Sequence, residues 1–468
     1  MEIEGGRRPA AYQGDGGFAK KNSVSKETAP PEINPPRSRR LANHEYSVAA
    51  IFRAVQIYAS GTISFHACTR LITCLKPALP EFQSIPAPNT IQSWFLRIGL
   101  HSLNSPKEIA DDWAIMLDHT CQLGNQKCLI ILGIRISEWA LIDRPLERKD
   151  MTVLMLDVVE RSDGNMVQQQ LVEVQKKIGT IASVTSDQGS DLVRGIEMFV
   201  ESQANQNIPN QVKPRVFKDY SHASSHILKA NLLADSQWGL FLSHCGSTQP
   251  KVKQTSLGAL APPTQKVKGR YMSIGEMIRW GQEMLALVDE TNGELPKEID
   301  RSTFLLKYGW IKDFRRSLTK WYELDVLREQ SLKLLRVAGY SSKVVDELKA
   351  KQSSYRNHEC SRLMADQLVE LVRDQCESIP KGTSYPASTE VLESMIGKSK
   401  QMQFQHSRGG FTKMVLGIAA SAVRITEAVV TQSLEAVREI NVRVWGKETI
   451  GSTLTSIRRA AMPGIKSA

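Results

Sequence analysis

The run WAIMLD, Trp113–Asp118, carries five apolar residues and stops on an acid. Its length and composition predict a buried strand. Working outward, a polar turn at Gly124–Asn125 leads into a second, longer apolar strand, Gln126–Ile136, and Met151–Val159 reads as a third. The texture then alternates. A helix over Met166–Lys177 precedes a strand, Ile181–Ser186, that ends on Asp187. A helix over Asp191–Val200 precedes a strand, Val212–Lys218, that ends on Asp219. Hairpin-spaced strands followed by strand–helix alternation predict an α/β fold, with a mixed five-stranded sheet and flanking helices over residues 111–234.

Upstream, residues 1–44 are rich in Gly and Pro and carry basic residues that include Arg39 and Arg40. They read as a disordered basic arm. Residues 45–110 read as helical. Glu45–Ala59 places Val48, Ile51, Phe52 and Val55 on one face, Ser60–Gly61 breaks the pattern, and Ser64–Leu75 resumes it. Helix, tight turn, helix is the arrangement in which a second helix enters the major groove of DNA, although any αα-hairpin shares the pattern. Thr62, Ser64, His66 and Arg70 are the candidate groove residues. Asn89–Gly99 follows as a further helix, with Arg97 as a polar position and a candidate DNA contact.

Downstream, residues 235–385 break the alternation with long amphipathic runs, so an all-helical block is expected there, with Trp280, Trp310 and Trp321 in its core. Residues 386–468 are then expected to complete the fold begun at residues 111–234 and to end in basic helices. The chain of 468 residues is 41% hydrophobic and 23% charged, with a formal net charge of +11. The first 110 residues hold thirteen Lys or Arg against eight acids, and residues 401–468 hold nine against four. Basic flanks on a near-neutral middle suit a polyanion partner. Seven cysteines without a CxxC pair point to a reducing compartment and away from a disulfide framework. The opening residues do not resemble a signal peptide, and the run Met414–Val423 stops at Arg424, too short to span a bilayer. A cytoplasmic, nucleoid-associated protein without membrane contact is the expectation.

The segment STEVLESMIGKSK, Ser388–Lys400, reads as a helix start. Ser388 and Thr389 are capping types, Leu392, Met395 and Ile396 form an apolar stripe, and Glu390, Glu393, Ser394 and Gly397 lie on the other side. Asp118 and Asp187 at strand ends, with a glutamate on this helix, would bring three carboxylates to one sheet edge. Clustered carboxylates repel and need cations, and hard oxygen ligands fit Mg²⁺ or Mn²⁺. Two such ions activate a nucleophile and stabilise the leaving oxygen of a phosphoryl displacement. Lys398 and Lys400, with Arg408 and Lys413 beyond, are candidate DNA-backbone contacts.

In this order the motifs resemble an RNase H-fold transposase of bacterial insertion sequences, the type with an Asp–Asp–Glu triad. LDHT (117–120) is similar to its first-aspartate strand and TSDQGS (185–190) to its second. DYSH (219–222) is similar to the Asp-x-x-His of several such groups, including Mutator-type enzymes. STEVLESMIG (388–397) resembles the segment with the final glutamate. The resemblance spans roughly residues 110–230 and 385–460, and a helical insertion before the last catalytic helix is in keeping with it. It implies Asp118, Asp187 and Glu393 as catalytic and metal-binding residues, with two Mg²⁺ or Mn²⁺ ions. Glu390 remains a rival for Glu393, and Asp219 and His222 flank the site. It also implies cleavage at transposon ends, strand transfer into target DNA, and a homo-oligomer in the synaptic complex. Two alternatives stand beside it: a nuclease of the same fold without strand transfer, and an inactive, transposase-derived DNA-binding protein.

Overall fold

Asp118 sits near the end of the middle strand of a five-stranded sheet. The computed structural model describes residues 39–61, 63–121, 125–204, 213–264, 274–290, 295, 297–377, 379–405 and 410–462. Three helices come first: α1 (Val48–Ser60), α2 (Phe65–Leu75) and α3 (Pro88–Asn104). The sheet region follows as β1 (Ala110–Cys121), β2 (Lys127–Arg135), the single turn α4 (Ile136–Trp139), β3 (Thr152–Val159), α5 (Gly164–Ile178), β4 (Gly179–Ser186), α6 (Ser190–Ala204), β5 (Arg215–Lys218) and α7 (Tyr220–Leu233). The strand order is β3-β2-β1-β4-β5. β2 runs antiparallel to both β1 and β3, whereas β4 runs parallel to both β1 and β5. This mixed sheet with flanking helices is an RNase H-like arrangement. β1 is longer at both ends than the apolar run 113–118, because its hydrogen-bonded ladder continues past the residues that burial selects.

The pleat of β1 sorts its residues between two cores. Trp113, Ile115 and Leu117 face α5 and α6, packing with Val167, Leu171, Ile196 and Phe199. Ala114 and Met116 face the other way, onto Leu392, Met395 and Ile396 of a later helix, α14 (Glu390–Phe404). By the same alternation Asp118 belongs to the α14 side and His119 to the α6 side. His119 Nδ1 lies 3.6 Å from Asp191 Oδ2, and Lys127 Nζ lies 3.3 Å from the same oxygen.

Between α7 and α14 the chain is helical: α8 (Ser236–Val252), α9 (Ile274–Asp289), α10 (Arg301–Tyr308), α11 (Arg315–Ala338), α12 (Val344–Gln352) and α13 (Glu359–Cys376). It is not wholly so, because β6 (Tyr340–Ser341) and β7 (Ser384–Tyr385) form a short antiparallel pair. Trp238, Phe241, Trp280 and Trp321 belong to the core of this block, and Trp310 packs against it. Phe217 of β5 stacks on Tyr340 at 5.2 Å, which seats the block against the sheet edge. The chain then closes with α14 (Glu390–Phe404), α15 (Leu416–Ala422), α16 (Glu427–Ala436), α17 (Glu439–Thr449) and α18 (Leu454–Ala461). The three N-terminal helices share a core with Leu416, Val430 and Leu434 of these last elements. At the crossing of α3 and α15 a Cβ on Gly99 would sit 2.2 Å from the Leu416 carbonyl oxygen, so only glycine fits. Among the described residues no helix is long and apolar enough to cross a membrane.

Candidate active site

Three aspartates end up side by side because of strand register. Leu117 pairs with Ser186 across β1 and β4, and Ser186 pairs with Lys218 across β4 and β5. The next residue on each chain is Asp118, Asp187 and Asp219. In parallel strands these positions lie at one edge of the sheet, where an α/β fold places its ligands. The Asp219 N–H donates to the Ser186 carbonyl at 3.0 Å, which ties the third aspartate to the end of β4.

Asp219 is 1% exposed. It caps α7 by accepting from the Ser221 N–H at 3.1 Å. It also accepts from the Thr389 N–H at 3.1 Å and the Thr389 hydroxyl at 3.0 Å, so it clamps the start of α14. Thr389 therefore serves as a bridge between β5 and α14 and makes no side-chain cap of its own helix. The Glu390 N–H is taken instead by Ser388 Oγ at 3.2 Å.

One turn along α14, Glu393 faces this edge. Asp219, His222 and Glu393 each present a ligand atom within 4.8 Å of the others. His222 Nδ1 hydrogen-bonds Asp219 Oδ2. Its distance to Glu393 Oε1 is 3.4 Å, and that buried oxygen makes no hydrogen bond. The Asp219 hydrogen bond, opposed by burial, lifts His222 to about 9, with the charges of Asp219, Glu393 and Asp187 adding to the rise. The ring is thus cationic at neutral pH. Burial lifts Asp118 to about 7, and the charges of Asp187 and Glu393 act in the same direction against a hydrogen bond from the His119 N–H at 2.6 Å. Burial also raises Glu393, helped by Asp219, Glu390 and Asp187 and opposed by His222. Asp187 Oδ1 accepts from the Gly189 N–H at 3.0 Å.

Glu390, the rival carboxylate, is engaged elsewhere. Its two oxygens pair with Nε and Nη2 of Arg336 on α11, and Ser221 Oγ donates to Oε1 at 3.4 Å. Arg336 gives no signal in the sequence, since it lies in a different element 54 residues away. Thr389 was readable as a capping type, but its partner Asp219 was not.

A hard dication fits this edge. Burial raises Asp118 and Glu393, and the buried Glu393 Oε1 makes no hydrogen bond and has the His222 ring 3.4 Å away, so added positive charge is favourable here. Among the described residues, the ligand atoms that lie close enough to share one ion belong to Asp219, His222 and Glu393, with His222 Nδ1 already hydrogen-bonded to Asp219, while Asp118 and Asp187 stand at the same sheet edge.

The candidate DNA contacts fare unequally. Arg39 and Arg40 are exposed, within reach of Glu435 and Gln83 respectively. His66 and Arg70 are exposed on α2. Ser64 is the N-cap of α2, its Oγ accepting from the Ala67 N–H at 3.1 Å. Thr62 and Arg408 lie outside the described residues. Lys400 is exposed, and Lys413 pairs with Glu439 at 3.3 Å. Two assignments are corrected. Arg97 is 8% exposed and donates to the Val437 and Leu434 carbonyls at 2.6 Å each, closing the C-terminal end of α16. Lys398 reaches the Ala59 carbonyl near the end of α1, and burial lowers it to about 8. Both cations satisfy helix-end carbonyls within the fold.

No protein-family model matches the chain, and no curated protein matches it. Among solved structures it is similar to one described as a Drosophila P element transposase strand transfer complex, at 11% identity and a TM-score of 0.36. That similarity covers 84% of this chain and 94% of the other. The class assigned here, a mixed α/β protein with an RNase H-like sheet, rests on strand order and direction.

Proposed function

We propose that this chain is a DDE-type transposase, an enzyme that cuts DNA at the ends of a mobile element and joins the freed 3′-hydroxyl to target DNA. The observation that supports the reading is the strand register that sets Asp118 and Asp187 at one edge of the RNase H-like sheet, with α14, which carries Glu393, packed against β1. These three are the proposed ligands for divalent metal, Mg²⁺ or Mn²⁺. When bound there, such ions supply Lewis acidity to the scissile phosphate and acidify the attacking water.

The remaining residues hold this arrangement. Asp219 fixes the start of α14 through Thr389 and so sets where Glu393 stands. His222 keeps a positive charge beside Glu393 and suits contact with a phosphate oxygen. Arg336 neutralises Glu390 on the same helix. For DNA, α2 with His66 and Arg70 is the proposed groove helix, and Arg39, Arg40 and Lys400 are proposed phosphate contacts. The segments 1–44, 45–110, 111–234, 235–385 and 386–468 are proposed as arm, DNA-binding region, first part of the core, helical insertion and completion of the core. A homo-oligomer at paired ends is part of the same proposal.

The test is cleavage and joining of the element's own end sequences with Mg²⁺ or Mn²⁺. Asp118→Asn, Asp187→Asn and Glu393→Gln are each expected to lower cleavage by about a thousandfold or more, the equivalent of several kcal/mol of lost transition-state stabilisation. Glu390→Gln is expected to keep the chemistry. Cleavage without joining would make the chain a nuclease of the same fold. Binding of the ends without cleavage in either metal would make it a DNA-binding relic.

A further inference from the structure

Glu393 shares its side of α14 with a line of exposed residues. At about 100° per residue, Gly397, Lys400 and Phe404 all lie within about 40° of Glu393 around the helix axis. Gly397, Lys400 and Phe404 are exposed, while Met395, Ser399 and Met402, roughly 120° to 180° around the axis, are buried, and buried Ile396 borders the stripe. Phe404, the last residue of the helix, is 87% exposed.

Two features of this stripe have no packing role among the described residues. Gly397 has no positive φ, so the backbone does not require glycine. A Cβ built there would meet nothing within 4 Å among the described residues, in contrast to Gly99 or Gly281, where it would clash. Glycine inside a helix weakens it relative to alanine. An absent side chain that packing does not demand leaves room for something else to approach the backbone. Phe404, likewise, offers an aromatic face to solvent at the end of the same line.

We propose that this stripe of α14 is a track for the unpaired end of a nucleic-acid strand, with Gly397 as a notch that admits the sugar–phosphate backbone and Phe404 as a platform on which a base stacks. The proposal rests on the DNA-cutting function put forward above. The eleven residue steps from Glu393 to Phe404 span about 16 Å, the rise of about five stacked nucleotides. The track begins at the carboxylate edge and passes exposed Lys400, the cation on the stripe that can meet a phosphate. An unpaired strand fits better than a duplex because base faces inside a duplex are covered by their neighbours. Stacking on an aromatic ring tolerates any base.

The experiment is equilibrium binding in EDTA to a duplex with a short 3′ single-stranded tail carrying 2-aminopurine, beside the blunt duplex. Wild type, Phe404→Ala, Phe404→Tyr and Gly397→Leu are compared, with melting temperatures for each. Phe404→Ala is expected to bind the tailed duplex on the order of tenfold more weakly, the size of one lost base–aromatic stack, and to lose its effect on 2-aminopurine emission. Phe404→Tyr should retain both, and blunt-duplex binding should be unchanged throughout. Gly397→Leu should melt at or above the wild-type temperature yet bind the tail more weakly. If Phe404→Ala and Gly397→Leu bind the tailed duplex like wild type while wild type still cuts DNA, the track falls and the enzyme reading stands. If Gly397→Leu melts well below wild type, the space is not open and the notch is wrong. If wild type neither binds nor cuts DNA of either form, the proposed function falls and the track with it.

Discussion

Asp118 is a carboxyl held where ionisation is unfavourable. Burial beside Asp187 and Glu393 lifts it from 3.8 to about 7, so the folded chain binds its proton more tightly than the unfolded chain. The stability it contributes is therefore lost as pH rises from 3.8 through about 7. Asp118→Asn should raise the melting temperature of the metal-free protein at pH 8 and not at pH 4. The gain should be on the order of 4 kcal/mol at most. Equal melting curves at pH 8 would remove the like-charge account. His222 has the same sign. Its stabilisation is complete below 6.5 and is lost as pH passes about 9, with its magnitude reduced because the side chain is 38% exposed. The acids could be read in the sequence because each follows an apolar run. Their partners were hidden, since a bond from Thr389 to Asp219 or from Arg336 to Glu390 joins residues far apart in the chain.

At the scale of elements, polarity alone misled at two helices. Arg97 and Lys398 both read as cations for a phosphate, yet each ends on the carbonyls at a helix terminus. Arg97→Met should cost about 3 kcal/mol of stability, because two hydrogen bonds from a buried cation are lost. It should leave the salt dependence of DNA binding unchanged. Arg70→Ala on α2 should do the reverse. Stability should hold within about 0.5 kcal/mol, while the slope of log affinity against log salt should fall by about 0.9 if this arginine meets a phosphate. Denaturant melts and a salt titration separate the two, and an unchanged slope for Arg70→Ala would remove α2 from the DNA interface.

For the whole molecule, the carboxylate edge is assembled from parts that are not contiguous. β1 supplies one acid, the ends of β4 and β5 supply two, and a helix beyond the helical block supplies the fourth. A ligand that binds only this assembled edge stabilises the fold by mass action. Mn²⁺ at about a hundred times its dissociation constant should add about 3 kcal/mol to the stability of wild type, and much less to a double Asp118→Asn, Glu393→Gln variant. An equal response in both would place the binding elsewhere.

The sequence by itself determined the periodicities, and with them the strand-rich middle, the helical block and the acids at strand ends. Those features are local: side chains alternate every two residues in strands and recur every 3.6 in helices, and an acid that stops an apolar run marks an edge. Only the tertiary structure decided which carboxylates meet, that Arg336 occupies Glu390 while His222 stands beside Glu393, and that Arg97 and Lys398 serve the fold. Register and long-range pairing set those outcomes. They depend on which surfaces pack together, and no local pattern encodes a partner 54 or 170 residues away.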